Sequence, residues 1–288
     1  MALDVQALQK WVGRTETAED TVSAFPVAAL SATLDRDDPP PRKGDPLPPL
    51  WHWLYFLPAY RHSEAGPDGH MRRGGFLPPV PLPRRMWAGS RVQFRQALRV
   101  GEPIRRVSTV ANVTHKSGRS GELVFVLVRH ELSGAGAVNI AEEHDIVYRE
   151  APRTGEQPAA SSPASSGNSV VAQWQRVVHP DPLLLFRYSA LTFNGHRIHY
   201  DRPYAMEVEG YPGLVVHGPL LATLMLDLLR RERPDAQVSA FSFRALRPVF
   251  DTAPFTVCGA PQPGTRDVAL WVRGADGAHA MDGHATLA

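Results

Sequence analysis

The chain has 288 residues, 43% of them hydrophobic and 21% charged, which is close to globular averages and enough for one large or two small domains with a sizeable buried core. A net charge of +2 and a sequence pI near 8.8 are too balanced for nucleic-acid binding by bulk charge, so any anion site must be local. The single cysteine, Cys258, excludes an internal disulfide and a cysteine-rich metal centre and fits a reducing compartment.

The opening stretch MALDVQALQKWVGR has neither the apolar core of a signal peptide nor the Arg-rich, acid-poor character of a transit peptide. No apolar run approaches the ~20 residues of a membrane span, so a cytoplasmic protein without a membrane partner is expected. Val27–Asp35 (VAALSATLD) reads as a short helix and Trp51–Leu57 (WHWLYFL) as a buried strand. Residues 61–83, rich in Gly, Pro and charge, are long for a connector and point either to disorder or to function. Arg91–Arg99, Ile104–His115 and Glu122–Leu132 then alternate like strands of a half-exposed antiparallel sheet, with KSGRSG at 116–121 as a turn.

Glu156–Ser169, EQPAASSPASSGNS, has the composition of a flexible linker. It divides the chain into an N-terminal unit (1–155), the linker (156–169) and a C-terminal unit (170–288). The second unit contains a strand-like run at Gln173–Val178, a helix over Leu220–Arg231, and strands at Val238–Leu246, Pro254–Gly259, Val268–Arg273 and Ala280–Leu287. Arg247-Pro248 ends one of these strands, since proline lacks the ladder donor. Cys258 lies in the strand-like FTVCG and reads as a small buried apolar residue. One helix followed by an antiparallel sheet, twice over, is the order that two tandem hot-dog units would show: an α+β architecture in which each sheet wraps a helix.

Chemistry concentrates in two segments. Phe186–Asp201 reads FRYSALTFNGHRIHYD, and residues 213–229 read GLVVHGPLLATLMLDLL. The first resembles the Y-S-x-x-S-G-D-x-N-P-x-H motif of MaoC-like (R)-specific enoyl-CoA hydratases, which is followed there by a helix opening with H-G. It is more similar still to the branch with S-A-L-T-F-N-x-H-R-I-H-Y-D, which contains the hydroxyacyl-thioester dehydratases of type 2 and the mesaconyl-CoA (3-methylfumaryl-CoA) and itaconyl-CoA hydratases. The resemblance implies a double hot-dog with one active site per chain, in the C-terminal unit, and an N-terminal unit that shapes the acyl pocket. It places the catalytic histidine of the motif on His199 and the position that is Asp in the broader family on Asn194.

Adding water to an enoyl thioester needs a base for the water, an acid for the α carbon and donors aimed at the thioester oxygen. His199 is the natural base, because imidazole titrates near neutral pH; on spacing alone, a structural histidine bonded to a backbone carbonyl is the commoner reading, and the motif reverses that preference. Asn194 can orient a water but cannot take its proton. Proton transfer therefore falls on His199, or the carboxylate role passes to another residue such as Asp201. Gly218 opens the helix, where free N–H groups and the dipole favour negative charge, and is the candidate oxyanion donor, with His217 as a second contact. Pro219 suits the first turn. Arg187, His196 and Arg197 are candidate contacts to an acyl carboxylate or a CoA phosphate, since the guanidinium fork binds two oxygens. Arg72, Arg73, Gly74 and Gly75 form a basic step that reads as a solvated loop or as a CoA contact.

The expected activity is reversible hydration of a 2-enoyl-CoA, with a short branched dicarboxylic acyl group such as mesaconyl or itaconyl preferred on the resemblance. Two alternatives stand beside it: dehydration of longer 3-hydroxyacyl thioesters, and a non-catalytic acyl-thioester-binding protein in which Asn194 marks loss of the acid–base pair. A thioesterase of this fold would draw an acid from the helix, where Asp227 is the only one available and lies late. No metal and no cofactor beyond the CoA of the substrate are expected, and a homodimer is optional because two units can close against each other within one chain.

Overall fold

A computed structural model describes residues 3–118, 121–150 and 170–288. The proposed linker, and the tip of the KSGRSG turn, lie outside the described residues. Ten strands form one antiparallel sheet in the order β1-β3-β4-β5-β2-β7-β10-β9-β8-β6. Strands β1 (Thr15–Thr21), β2 (Arg84–Phe94), β3 (Pro103–Gly118), β4 (Gly121–Ser133) and β5 (Val138–Arg149) come from the N-terminal half. The C-terminal half supplies β6 (Trp174–Val178), β7 (Val238–Ala245), β8 (Phe255–Pro261), β9 (Asp267–Arg273) and β10 (His279–Leu287). The halves meet where β2 pairs with β7, from Gly89 opposite Arg244 to Gln93 opposite Ala240. A Cβ on Gly89 would stand 2.5 Å from the Phe243 carbonyl oxygen, so glycine lets the two backbones approach at this seam.

The expected double hot-dog architecture is present. Helices α1 (Val5–Gln9), α2 (Ala24–Thr33), α3 (Pro182–Leu191) and α4 (Gly218–Glu232) accompany the sheet. Every residue of α4 from Leu220 to Leu229 is buried, as a helix wrapped by a sheet must be, and it packs on β6, β8, β9 and β10. In the N-terminal half the ten-residue α2 packs on α3 and the 51–54 turn; its Leu30, with Leu34 just beyond, joins the same apolar core as Leu220, Leu224 and Phe241. A second cluster under the long strands gathers Val110, Val113, Val124, Val126 and Tyr148 with Val80 and Leu82. Residues 76–82 therefore fold back onto the sheet.

Several sequence expectations shift. Trp51–Leu57 is not a strand: Trp51–Leu54 forms a 3₁₀ turn between Leu50 and Phe56, both in the left-handed region (φ 68° and 56°). Its apolar run is buried by packing, not by pairing. The strand expected at Arg91–Arg99 runs instead over Arg84–Phe94, after which Arg95 and Gln96 turn away to bond the Asn139 carbonyl. Helix α3 and strands β1 and β5 are additions. Strand β1 is an exposed polar edge, TETAEDT, and the buried face of β5 carries Glu142, so neither shows an apolar alternation.

Asp227 proves structural. Its carboxylate, 4% exposed, is bonded by Arg36 at 2.8 Å, Arg176 at 2.5 Å and Arg231 at 2.8 Å. Arg36, just after α2, thereby ties the N-terminal half to α4. This occupation removes the only helix acid that a thioesterase reading had. Truncation strands three cations, so Asp227→Ala should lower unfolding free energy by about 3–5 kcal/mol, read by urea denaturation; a loss below about 1 kcal/mol would show that the network is not a structural tie.

Candidate active site

The motif folds as a helix, a strained turn and a short 3₁₀ segment. Asp181 caps α3 by accepting from the Leu184 N–H at 2.8 Å, and Pro182 stands at its start. The helix ends in a Schellman arrangement: Phe193 N–H donates to Ala190 O at 3.2 Å and Asn194 N–H to Ser189 O at 2.8 Å. Phe193 occupies the left-handed position (φ 47°) where glycine is usual, a strain of the kind found at functional sites. The turn delivers Asn194 to a cavity, and its Oδ1 accepts the His196 N–H at 3.0 Å. His199 follows at the end of the 3₁₀ segment Arg197–His199.

His199 is 7% exposed, and its Nδ1 lies 2.7 Å from the Val215 carbonyl oxygen. A carbonyl only accepts, so Nδ1 carries the proton and Nε2 the lone pair. The ring stacks on His217 at 3.7 Å between centroids and 19° between planes. His217 is fully buried, with Nε2 2.8 Å from Ser189 Oγ and Nδ1 without a partner. An unpaired acceptor is tolerated better than an unpaired donor, so Nε2–H donates to Ser189. Burial, and then the neighbouring His196, push His199 down to about 3. Burial and then His199 hold His217 well below its usual value. Both rings are neutral at physiological pH.

His217 is also the N-cap of α4 but makes no side-chain cap bond. Gly218 N–H has no hydrogen-bond partner among the described residues. A Cβ there would meet nothing nearer than Met281 Cε at 3.9 Å, so packing does not demand glycine.

A loop of the N-terminal half closes over the motif. Residues 61–83, for which disorder or function stood open, dock through Gly69, whose added Cβ would lie 1.9 Å from Gly195 O. Asp68 O accepts the Arg197 N–H at 2.9 Å, and the His70 ring packs on His196 at 4.1 Å between centroids, tilted by 38°. His196 is pushed down to about 3, mostly by burial and then by His70. Asp68, His70 and His196 form the one grouping among the described residues whose donor atoms lie within 4.8 Å of one another as metal ligands would. Asp68 is already bonded to His70 at 3.1 Å, and the charge of Arg85 opposes protonation of both histidines and would equally oppose a cation. The grouping reads as a hydrogen-bonded wall.

A cavity of about 480 Å³ draws its walls from both halves: Asn194, Gly195, Tyr188 and Pro219 on one side, Trp53, Trp87 and the buried cluster around Glu142 on the other. Glu142 takes bonds from His52 at 2.9 Å, Trp53 at 3.1 Å and Ser90 at 3.0 Å, with His144 Nε2 at 2.7 Å, which keeps it far below the ordinary carboxylate range against its burial. A second cavity of about 440 Å³ adjoins, lined by Asp68, His70, Arg84, Arg85 and His196.

The candidate residues thus divide. Asn194, His196, His199, His217 and Gly218 come together around the motif turn and the helix start. His199, His217 and Gly218 are not among the residues that line either cavity; His217 stacks on the His199 ring. Arg197 lies off both cavities, bonded to Asp201 at 2.9 Å and Pro67 O at 3.0 Å and set on the Tyr204 ring. Arg187 is exposed on α3 and lines neither cavity. Asp201 is taken by Arg197. Arg73 donates to the carbonyls of Val80 at 2.6 Å, Leu82 and Pro83, so it is a loop fastener. Sequence reasoning missed Ser189, His70 and Arg85; the first lies inside the quoted motif, but nothing local marks the other two.

The family model for hydroxyacyl-thioester dehydratase type 2 matches residues 50–251. A mesaconyl-C(4)-CoA hydratase of Chloroflexus aurantiacus is 49% identical over 275 residues, covering 94% of each chain. The chain belongs to the hydroxyacyl-thioester dehydratase type 2 family. Among solved structures, a MaoC-like dehydratase from Phytophthora capsici matches with a TM-score of 0.65 at 13% identity, covering 99% of both chains. A Mycobacterium tuberculosis protein described as having a double hotdog fold matches with a TM-score of 0.57 at 13% identity, covering 96% of both chains, a likeness of fold. As a member of the type 2 dehydratases, the protein is a carbon–oxygen lyase of acyl thioesters, and no helix among its described residues is long and apolar enough to cross a membrane.

The neutral histidines set a pH dependence. Unfolded, these rings take a proton near 6.5; folded, His196 and His199 resist it to about 3. The unfolded state holds more protons in that interval, so stability falls as pH drops from about 6.5 towards 3. Denaturation midpoints should decline between pH 7 and pH 5, less steeply in His196→Gln; identical slopes would contradict a neutral buried His196.

Proposed function

We propose that the protein reversibly hydrates a short enoyl-CoA whose acyl group is a branched dicarboxylic one, of the mesaconyl or itaconyl kind. The reading rests on the geometry of one ring: His199 has a fixed Nε2 lone pair beside the uncapped start of α4. The name of the 49% identical relative supports the acyl class. In the hydration direction, His199 Nε2 takes a proton from water as its oxygen adds to the β carbon. The thioester oxygen gains enolate charge and is held by Gly218 N–H and the α4 dipole. The imidazolium formed at His199 then returns the proton to the α carbon. Asn194 orients the water through its amide and has no proton-transfer role.

No cofactor enters these steps beyond the CoA of the substrate. A dehydratase of longer acyl chains uses the same chemistry in reverse and differs only in what the cavity accepts. A non-catalytic binder would not need an open N–H at Gly218.

Loss of enoyl absorbance with mesaconyl-CoA, itaconyl-CoA and crotonyl-CoA tests the reading. His199→Ala should abolish turnover, and Asn194→Ala should lower kcat by ~100-fold. Gly218→Pro, at the first helical position after an extended His217, deletes the N–H with little cost to the helix and should lose about 10²–10³-fold in kcat. Wild-type-like turnover in His199→Ala would end this mechanism.

A further inference from the structure

The arginines that the motif suggested as carboxylate partners are placed elsewhere, which leaves open what reads the second carboxylate of a dicarboxylic acyl group. In a short acyl chain that carboxylate lies only a few bonds from the thioester, so its partner must sit near the histidine turn. Four arginines line the main cavity: Arg72, Arg73, Arg85 and Arg106. Arg73 is spent on backbone carbonyls, and Arg72 donates to Ala65 O at 3.3 Å. Arg106 has Glu16 at 3.9 Å and sits over the Phe56 ring. Arg84, in the second cavity, pairs with Glu209 at 3.2 Å.

Arg85 differs from all of these. It is half-buried on β2, opposite Tyr148 of β5, and lines both cavities. It has no carboxylate partner among the described residues, and the nearby Tyr148 hydroxyl feels its charge. Its charge is felt at His70 and His196, so it lies within electrostatic reach of the motif turn. Burial raises the Tyr148 hydroxyl above its usual value, which keeps it protonated and able to donate. A guanidinium fork with an adjacent hydroxyl donor matches the two oxygens of a carboxylate.

We infer that Arg85, with the Tyr148 hydroxyl, binds the free carboxylate of the acyl group and so selects dicarboxylic over simple enoyl-CoA substrates. The inference rests on the hydratase reading above. A phosphate of CoA would satisfy the same fork, but it is common to every CoA thioester and would give no selection among them.

The test compares kcat/KM for mesaconyl-CoA and crotonyl-CoA, which lacks the second carboxylate. Arg85→Met should lower the mesaconyl-to-crotonyl ratio by about 100-fold, the scale of a lost charge-assisted pair, mainly through KM. Arg85→Lys, which keeps the charge without the fork, should recover part of that ratio. Equal losses on both substrates would instead assign Arg85 to a CoA phosphate or to the fold and overturn the inference. A wild-type measurement guards against a variant that does not fold: succinyl-CoA should inhibit crotonyl-CoA hydration at least 10-fold more tightly than butyryl-CoA, and equal inhibition would overturn the carboxylate subsite. If the wild type hydrates no enoyl-CoA at all, the hydratase reading itself fails, a separate outcome.

Discussion

One hydrogen bond organises the site: His199 Nδ1–H to the carbonyl of Val215, 2.7 Å away. It fixes the tautomer, aims Nε2 as the lone basic atom, and is made by the strand-like segment that leads into α4. The same two residues of chain, 216 and 217, then connect it to Gly218. The carbonyl that holds His199 and the Gly218 N–H thus belong to one short stretch of backbone, 215–218, fastened to the core by the Val215–Phe250 bridge. His217, stacked on the ring and anchored to Ser189, keeps the imidazole from tilting. Burial makes both rings weak bases in the ligand-free protein, which suits a group that must hold its proton only in passing.

The N-terminal half has lost the long helix of its counterpart but still contributes to the site. Its strands continue the sheet through the β2–β7 seam, and the Arg36–Asp227 bond ties it to α4. Its loop presses Gly69 on Gly195, and its β2 and β5 line the cavity that Asn194 enters. The buried Glu142, surrounded by donors, is a rigid polar wall whose charge is compensated on the spot. Under the proposed mechanism the C-terminal half carries the reacting groups, and the N-terminal half lines the cavity with it.

Much of this was legible in the sequence, for identifiable reasons. Helix α4 and strands β7 to β10 show clear periodicity because each buries one face or all of it. The motif marked the turn that holds Asn194 and His199 and the helix start at Gly218, because local spacing sets these positions. Helix α3 was not legible, because PLLLFRYSAL is apolar on several sides and runs into a turn. The strand expected at Trp51–Leu57 failed because apolar content does not distinguish a buried strand from a buried 3₁₀ turn. Proximity along the chain does not carry Arg187 and Arg197 to one place: a helix presents the first to solvent, and Asp201 and the Pro67 carbonyl hold the second. Arg85 and His70 come from more than a hundred residues upstream, and only the folded sheet brings them to the turn.

Nitrogen NMR of histidine-labelled protein tests the central claim most directly, because it reads which ring nitrogen of His199 bears hydrogen. The account requires a signal from a protonated Nδ1 and an unprotonated Nε2 at pH 7, with no protonation of the ring as pH falls through 6.5 to 5. An Nε2–H tautomer, or a midpoint near 6.5, would contradict it.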